Sequence, residues 1–330
     1  MAESTPSLSQ QIQAFSTGAH VAGAAFLGEA PALALVDGAV LVGEPGAFKR
    51  IDAHPGGAIL VAVSDGKRVV TGGDDGRVVA VAPDGAIEEI ADEKGRWIDA
   101  LAARGDAIAW SAGREARARE ASGAVKTFSA PSTVRGLAFL AKGYRLALAH
   151  YNGVSLWFPN VSAEPIVLEW KGSHLDVVAS PDGRFVVSSM QENALHGWRI
   201  ADARNMRMTG YPKKTRSMSW SHDGHWLATS GADACVVWPF RDKDGPMGKA
   251  PREAGVRPAK VTKVAFHPRA LVVAVGYEDG FLLLCRLSDA AEIFVRGAGE
   301  AISALSWDTA GRRLLFGDES GAGGLLTLPG

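Results

Sequence analysis

One short pattern recurs along the whole of this chain, and no other feature of the sequence limits its fold as strongly. The clearest copy runs from His174 to Trp198. An apolar stretch, residues 175–179, meets the tetrapeptide Ser180-Pro181-Asp182-Gly183, and a second stretch, residues 184–189, follows. A polar corner at Glu192 and Asn193 then leads into a third stretch ending at Trp198. Proline presets φ and glycine tolerates positive φ, so the tetrapeptide turns the chain back and makes the flanking stretches antiparallel neighbours.

The same order returns elsewhere. Met218-Ser219-Trp220 meets Ser221-His222-Asp223-Gly224 and leads through residues 226–230 and Asp233 to residues 235–238. Residues 59–63 meet Ser64-Asp65-Gly66 and lead through Val69 and Val70 to Asp74-Asp75-Gly76 and residues 77–81. Weaker copies begin near Val21, Trp97, Val134, Val261 and Ile302. About eight units at a spacing of roughly 36 to 45 residues match the period of four-stranded propeller blades. Helical periodicity is absent. Residues 136–140, 271–275 and 281–284 are short, continuous apolar runs, as expected of strands covered on both faces.

The expected fold is all-β: a single domain over residues 1–330, a closed β-propeller of four-stranded antiparallel blades. Eight blades are favoured, with seven as the alternative if the divergent unit at residues 97–129 is irregular. The last unit supplies three strands and stops, and residues 10–15 sit one strand ahead of the first unit, so they are expected to complete the last blade. Residues 241–258 form the longest insertion, rich in Pro, Gly and charge, and are expected to be an exposed loop. The run Arg114, Glu115, Arg117, Arg119 and Glu120 is expected to be a solvated corner and an exposed strand.

This pattern resembles the WD-repeat family. The matching residues are His before the first strand (His54, His174), the Ser-Pro-Asp-Gly turn, and Ser or Thr in the second strand (Thr71, Thr229). Asp before the third strand (Asp75, Asp233, Asp279) and Trp ending it (Trp157, Trp198, Trp238) complete the set. The resemblance implies a hydrogen-bonded network of these side chains within each blade. It also implies a non-catalytic scaffold that holds protein partners on the axial face. No unit carries every element: Val81 takes the Trp position in the second, Asn193 the Asp position in the fifth, and Cys285 the Trp position in the seventh. The one literal Trp-Asp pair, Trp307-Asp308, falls at the end of a first strand and is not counted.

A propeller scaffold can host an enzyme, so each chemistry-bearing residue type matters. His222 and His225 are the only close histidines, with Asp223 alone beside them, short of the three or four convergent ligands a zinc site needs. Cys235 and Cys285 stand isolated in apolar runs, without disulfide or zinc-finger spacing, which fits a reducing compartment. The glycine-rich residues 72–76 and 321–324 open no helix, so they read as turns and not as phosphate cradles. Asp74, Asp75, Glu278, Asp279, Asp318 and Glu319 recur at the corner before the third strand, and repetition itself supplies a structural reason for them. No catalytic residue, metal or cofactor is expected. Residues 1–13 are polar and lack a secretory pattern, and no apolar stretch is long enough to span a bilayer, so the expected localisation is cytoplasmic.

A formal net charge of -1 gives no global pull toward nucleic acid or anionic membrane. One sector, from Arg204 to Arg269, is locally basic. Lys213, Lys214 and Arg216 precede the first strand of one unit, Lys260 and Lys263 flank the same point in the next, and Arg135 holds a comparable position earlier. The resemblance places axial contact residues there, so these six are the expected partner-binding residues, and the expected partner is a protein with an acidic surface. The protein itself is expected to be a monomer. Two alternatives stand: an enzyme or a small-molecule or metal binder at the central opening, and nucleic-acid binding by the basic sector. Few aromatics lie in that sector for base stacking, Tyr211 and Trp220 being the nearest.

Overall fold

The protein is seen in a computed structural model that describes residues 7–329. Residues 1–6 of the polar segment read above as lacking a secretory pattern lie outside the described residues. Strands joined by turns make up the chain, apart from a three-residue 3-10 turn at Ser9–Gln11. Among the described residues, no helix is long and apolar enough to cross a membrane.

Second and third strands are buried along most of their length. Val69–Gly73 and Phe185–Met190 expose no residue, and Leu282–Arg286 exposes only its last. The continuous apolar runs of the sequence therefore correspond to strands covered on both faces. Fourth strands differ: Ile87–Asp92 and Val125–Ser129 are largely exposed, and their Glu88, Glu89 and Lys126 put charge along an edge that would otherwise invite pairing with another chain.

Among the described residues, thirty strands form seven hydrogen-bonded sheets, six of four strands and one of six. Seven was the number expected if the unit at residues 97–129 were irregular, yet that unit is regular. Its strands Ala100–Arg104, Ala107–Ala112, Glu115–Arg119 and Val125–Ser129 pair in order. The expectation of eight separate four-stranded sheets is corrected elsewhere. Leu146–Trp157 pairs through residues 146–149 with Gly136–Phe139, and through residues 151–156 with Ile166–Ala179. Ile166–Ala179 pairs in turn, through residues 174–179, with Phe185–Met190. The fourth and fifth sequence units thus share one six-stranded sheet, and the eight units occupy seven sheets.

The described chain contains two compact units. One comprises the described residues up to Leu35 with Leu41–Lys49 and everything from Arg216 onward. Its sheets span residues 218–254, 261–296 and 302–327, the last completed by Ile12–Ser16, which pairs antiparallel with Ala322–Thr327 from Ile12 opposite Leu326 to Ser16 opposite Ala322. The expected closing strand is therefore present, shifted slightly from residues 10–15. The segment at residues 241–258 is not loop throughout: Arg252–Ala254 pairs with Cys235–Val237 as the fourth strand of its sheet. The other unit comprises Val36–Val40 and Arg50–Thr215. It holds the sheets at residues 59–92 and 100–129 and the six-stranded sheet at 136–208. In both units the core lies between neighbouring sheets, as where Val261, Phe266, Val275 and Tyr277 pack with Ala228, Cys235 and Val237.

Two devices position successive repeats. A β-bulge sits near the start of the first strand at Val21/Gly23, Ile59/Val61, His174/Asp176, Val261/Lys263 and Ile302/Ala304. The extra residue is pushed out of the ladder. Where it carries a hydroxyl, the hydroxyl ties one repeat to the next: Thr262 Oγ1 donates to Ile302 O (2.7 Å) and Ser303 Oγ to Val21 O (2.7 Å). The second device is a glycine in the second strand. A Cβ at Gly72, Gly276 or Gly317 would lie 2.5 to 2.6 Å from a side-chain carbon of Ile98, Ile302 or Val21 respectively, each standing at or just before the first strand of the next repeat. The missing side chain is the space into which the next repeat is keyed.

Candidate functional site

Three buried histidines show how far the network implied by the sequence is built. In the second repeat, His54 is fully buried; its Nδ1 lies 3.0 Å from Asp75 Oδ2 and its Nε2 2.8 Å from Thr71 Oγ1. A neutral ring satisfies both contacts by donating from Nδ1 to the carboxylate and accepting the Thr71 hydroxyl at Nε2. In the fifth repeat Asn193 replaces the acid, and its amide instead donates to Pro212 O (3.2 Å). His174 therefore finds another partner: Nε2 donates to the Trp170 carbonyl (3.0 Å) while Nδ1 accepts from Ser188 Oγ (2.6 Å). His150, which lies within a second strand, donates from Nδ1 to Tyr151 O (2.9 Å) and accepts Ser155 Oγ at Nε2 (2.8 Å). A fourth ring, His196, is fully buried, stacks on Trp170 at 3.8 Å, and has no hydrogen-bond partner at either nitrogen among the described residues.

These groups are held away from reactivity. Burial lowers the pKa of His54, outweighing the nearby Asp75 carboxylate, and lowers those of His150 and His174 too. Burial, helped by the neighbouring His174 and Arg207, pushes His196 down to about 3. Burial pushes the Cys235 thiol up to about 12 and raises Cys285 also, so neither is a thiolate near neutral pH. His225 Nδ1 lies 3.1 Å from Asp223 Oδ2 at a turn, and among the described residues no three His, Cys, Asp or Glu side chains converge to hold a metal.

The charge-dense run of the third repeat differs from its expected exposure. Glu115–Arg119 is a third strand whose Ala116 and Ala118 are fully buried. Arg117 reaches the buried Glu93 (3.1 Å) and Arg119 reaches Glu88 (2.8 Å). Alternation along the strand sends the alanines into the core and the arginines to acids on the neighbouring repeat.

The six basic residues occupy the segments that lead into first strands. In one unit, Lys213 is exposed and Lys214 half-buried in the turn before Thr215, and the exposed Arg135 is ion-paired to Asp99. In the other, Arg216 is exposed while its backbone N–H donates to Ser230 Oγ (3.1 Å). There Lys260 is half-buried with Nζ 3.9 Å from Asp233, and Lys263 lies half-buried within Val261–Phe266. Arg135 and Lys260 thus already have acidic neighbours.

Sequence reading missed a pair of clefts in the unit that holds residues 50–215. The larger, about 690 Å³, is lined by Pro131, Ser132, Tyr151, Val167 and Glu169. The smaller, about 280 Å³, is lined by Met190, Glu192 and Arg207. Trp170 and Lys171 line both. The available signal was brevity: around Trp170-Lys171-Gly172 a single glycine, at φ 133°, stands between the fourth strand of one repeat and the first strand of the next.

A WD domain, G-beta repeat model matches residues 205–238. The comparison with curated proteins gives no match. Among solved structures the chain is similar to the computationally designed Ika8 protein, at 17% identity over 95% of this chain and 98% of that one, with a TM-score of 0.77. It is also similar to the C-terminal WD40 domain of Sif2, at 14% identity over 99% of this chain and 100% of that one, with a TM-score of 0.76. The chain has a β-propeller fold, and one of its repeats matches the WD-repeat model. The matched repeat contains the Ser221-His222-Asp223-Gly224 turn, Asp233 and Trp238.

The neutral histidines give the propeller a pH-dependent stability. Their folded pKa values lie below the unfolded value of about 6.5, so the unfolded chain takes up protons that the folded rings refuse. Stability is complete above about pH 6.5 and falls below it, by about 1.4 kcal/mol per pH unit for each ring that stays neutral. His196 keeps this behaviour down to about pH 3. His196→Phe should flatten the slope of urea-unfolding free energy against pH by one histidine's share. An unchanged slope would mean that His196 titrates alike in both states.

Proposed function

We propose that this protein is a non-catalytic scaffold that captures a protein partner on the axial face of the propeller. The observation that carries the reading is the WD-repeat fold with exposed basic residues on the segments leading into first strands, Lys213 and Arg216 among them. Positive charge at such places draws an acidic surface and speeds encounter with it. Two further observations support a binding role over chemistry: the cysteine thiols are held protonated, and His54, His150 and His174 are engaged within their own repeats. On this reading the chain works as a monomer in the cytoplasm.

The triple variant K213E/K214E/R216E should lose the partners that the wild-type protein retains when purified from its native cell. Its melting temperature should stay close to wild type, because charge changes on exposed segments usually alter stability by no more than about 0.5 kcal/mol. An unchanged set of co-purifying proteins would rule out these residues as the contact.

A further inference from the structure

We propose that the Trp170–Lys171 ridge and the two clefts beside it bind an extended peptide segment that carries an acidic residue close to an apolar side chain. The inference rests on the reading of the protein as an interaction platform, but it uses different residues.

The clefts lie where a loop is missing. In the same compact unit, residues 93–99 separate Ile87–Asp92 from Ala100–Arg104, and residues 130–135 separate Val125–Ser129 from Gly136–Phe139. Ile166–Ala179 instead passes without a loop, bending only at Gly172 (φ 133°), from the fourth strand of one repeat into the first strand of the next. Both clefts are lined by Trp170 and Lys171, the residues at this loopless junction. Glycine holds the adjoining corner open: Gly153 has φ 150°, and a Cβ there would lie 2.4 Å from Leu168 O.

The two clefts differ in character. Tyr151 and Val167, 53% and 43% exposed, give the larger one an apolar wall that no part of the described chain covers. Trp170 is already fixed beside it by stacking on His196 and by the hydrogen bond its carbonyl accepts from His174, so little side-chain freedom is lost on binding. The smaller cleft is cationic. Lys171 and Arg207 are both exposed, and among the described residues neither side chain makes a hydrogen bond or an ion pair. The acid beside them, Glu192, is partly engaged, its Oε1 accepting Ser173 N–H at 3.3 Å.

Charge complementarity therefore seats a carboxylate between Lys171 and Arg207, and an apolar side chain against Tyr151, Val167 and Trp170. Glu169, in the larger cleft, repels a second acid there and sets the direction in which the segment lies. A nucleic-acid strand fits less well. One face of Trp170 is taken by His196, and phosphates would meet both Glu169 and Glu192.

The test is selection of a random linear-peptide phage library on the full chain, followed by fluorescence anisotropy with the labelled consensus peptide. The consensus should place Asp or Glu within a few positions of Trp, Phe or Leu. K171E/R207E should weaken its binding by at least about tenfold, K171A/R207A should weaken it less, and both should melt as the wild type does. K213E/K214E/R216E should bind the peptide as wild type does, which separates failure of this site from failure of the broader reading. Lack of enrichment, a basic consensus, or affinity unchanged in K171A/R207A and K171E/R207E would overturn the proposal. So would a labelled single-stranded RNA that binds the wild type and is lost in those variants.

Discussion

Replacing Trp110 with alanine should destabilise the protein by about 3–5 kcal/mol. The ring is 2% exposed and packs with Val70, Val78, Ile98, Leu101 and Ile108, so its removal strips apolar contacts from two neighbouring repeats at once. It also leaves a polar group short of a partner. The Trp110 Nε1–H donates to Glu93 Oε1 at 2.9 Å, and that buried carboxylate is otherwise held by Arg96 (2.6 Å) and Arg117 (3.1 Å). Trp110→Phe keeps most of the volume and loses the hydrogen bond, so its cost should be smaller, about 1–3 kcal/mol. Urea unfolding of both variants checks the ordering. A loss below about 1 kcal/mol for Trp110→Ala would show that the site collapses around the missing ring.

Gly276→Ala should cost about 1–3 kcal/mol by overpacking. The added Cβ would lie 2.5 Å from Ile302 Cγ2 and 2.7 Å from its Cβ, and both side chains' surroundings are closed, Ile302 being 1% exposed. The stronger expectation concerns the pair. Ile302→Ala alone should also destabilise, by leaving a cavity, yet it removes the Cγ2 and Cγ1 contacts of the new methyl group and so relieves part of the clash, the Cβ contact remaining. The double variant should therefore be more stable than the sum of the two single losses by about 0.5–3 kcal/mol. Additive losses in a double-mutant cycle would remove Gly276 and Ile302 as the key between these repeats.

Local chemistry was legible in the sequence. Ser180-Pro181-Asp182-Gly183 and Ser221-His222-Asp223-Gly224 make the turns their residues demand: Ser180 Oγ accepts the Phe185 N–H (2.9 Å) and Ser221 Oγ the Trp226 N–H (3.0 Å). Trp198 and Trp238 lie in third strands, and Trp307-Asp308 falls, as expected, at the end of a first strand. Of the candidate site, the sequence marked Lys213, Lys214 and Arg216 as exposed or half-exposed charge, but it had no means of pairing Arg135 with Asp99 or bringing Lys260 near Asp233. The clefts at Trp170 were invisible, because they lie at a connection too short to read as a loop.

By itself, then, the sequence determined the repeat, the strand order within each unit and the contribution of the N-terminal strand, since turn residues and apolar runs act over a few positions. Tertiary structure decided what depends on residues distant in sequence. It merged the fourth and fifth units into one six-stranded sheet, turned His174 toward the Trp170 carbonyl where Asn193 stands in place of an acid, and keyed Gly276 to Ile302. Those outcomes follow from which surfaces meet once the sheets pack, and packing is a property of the assembled neighbours that no single repeat encodes.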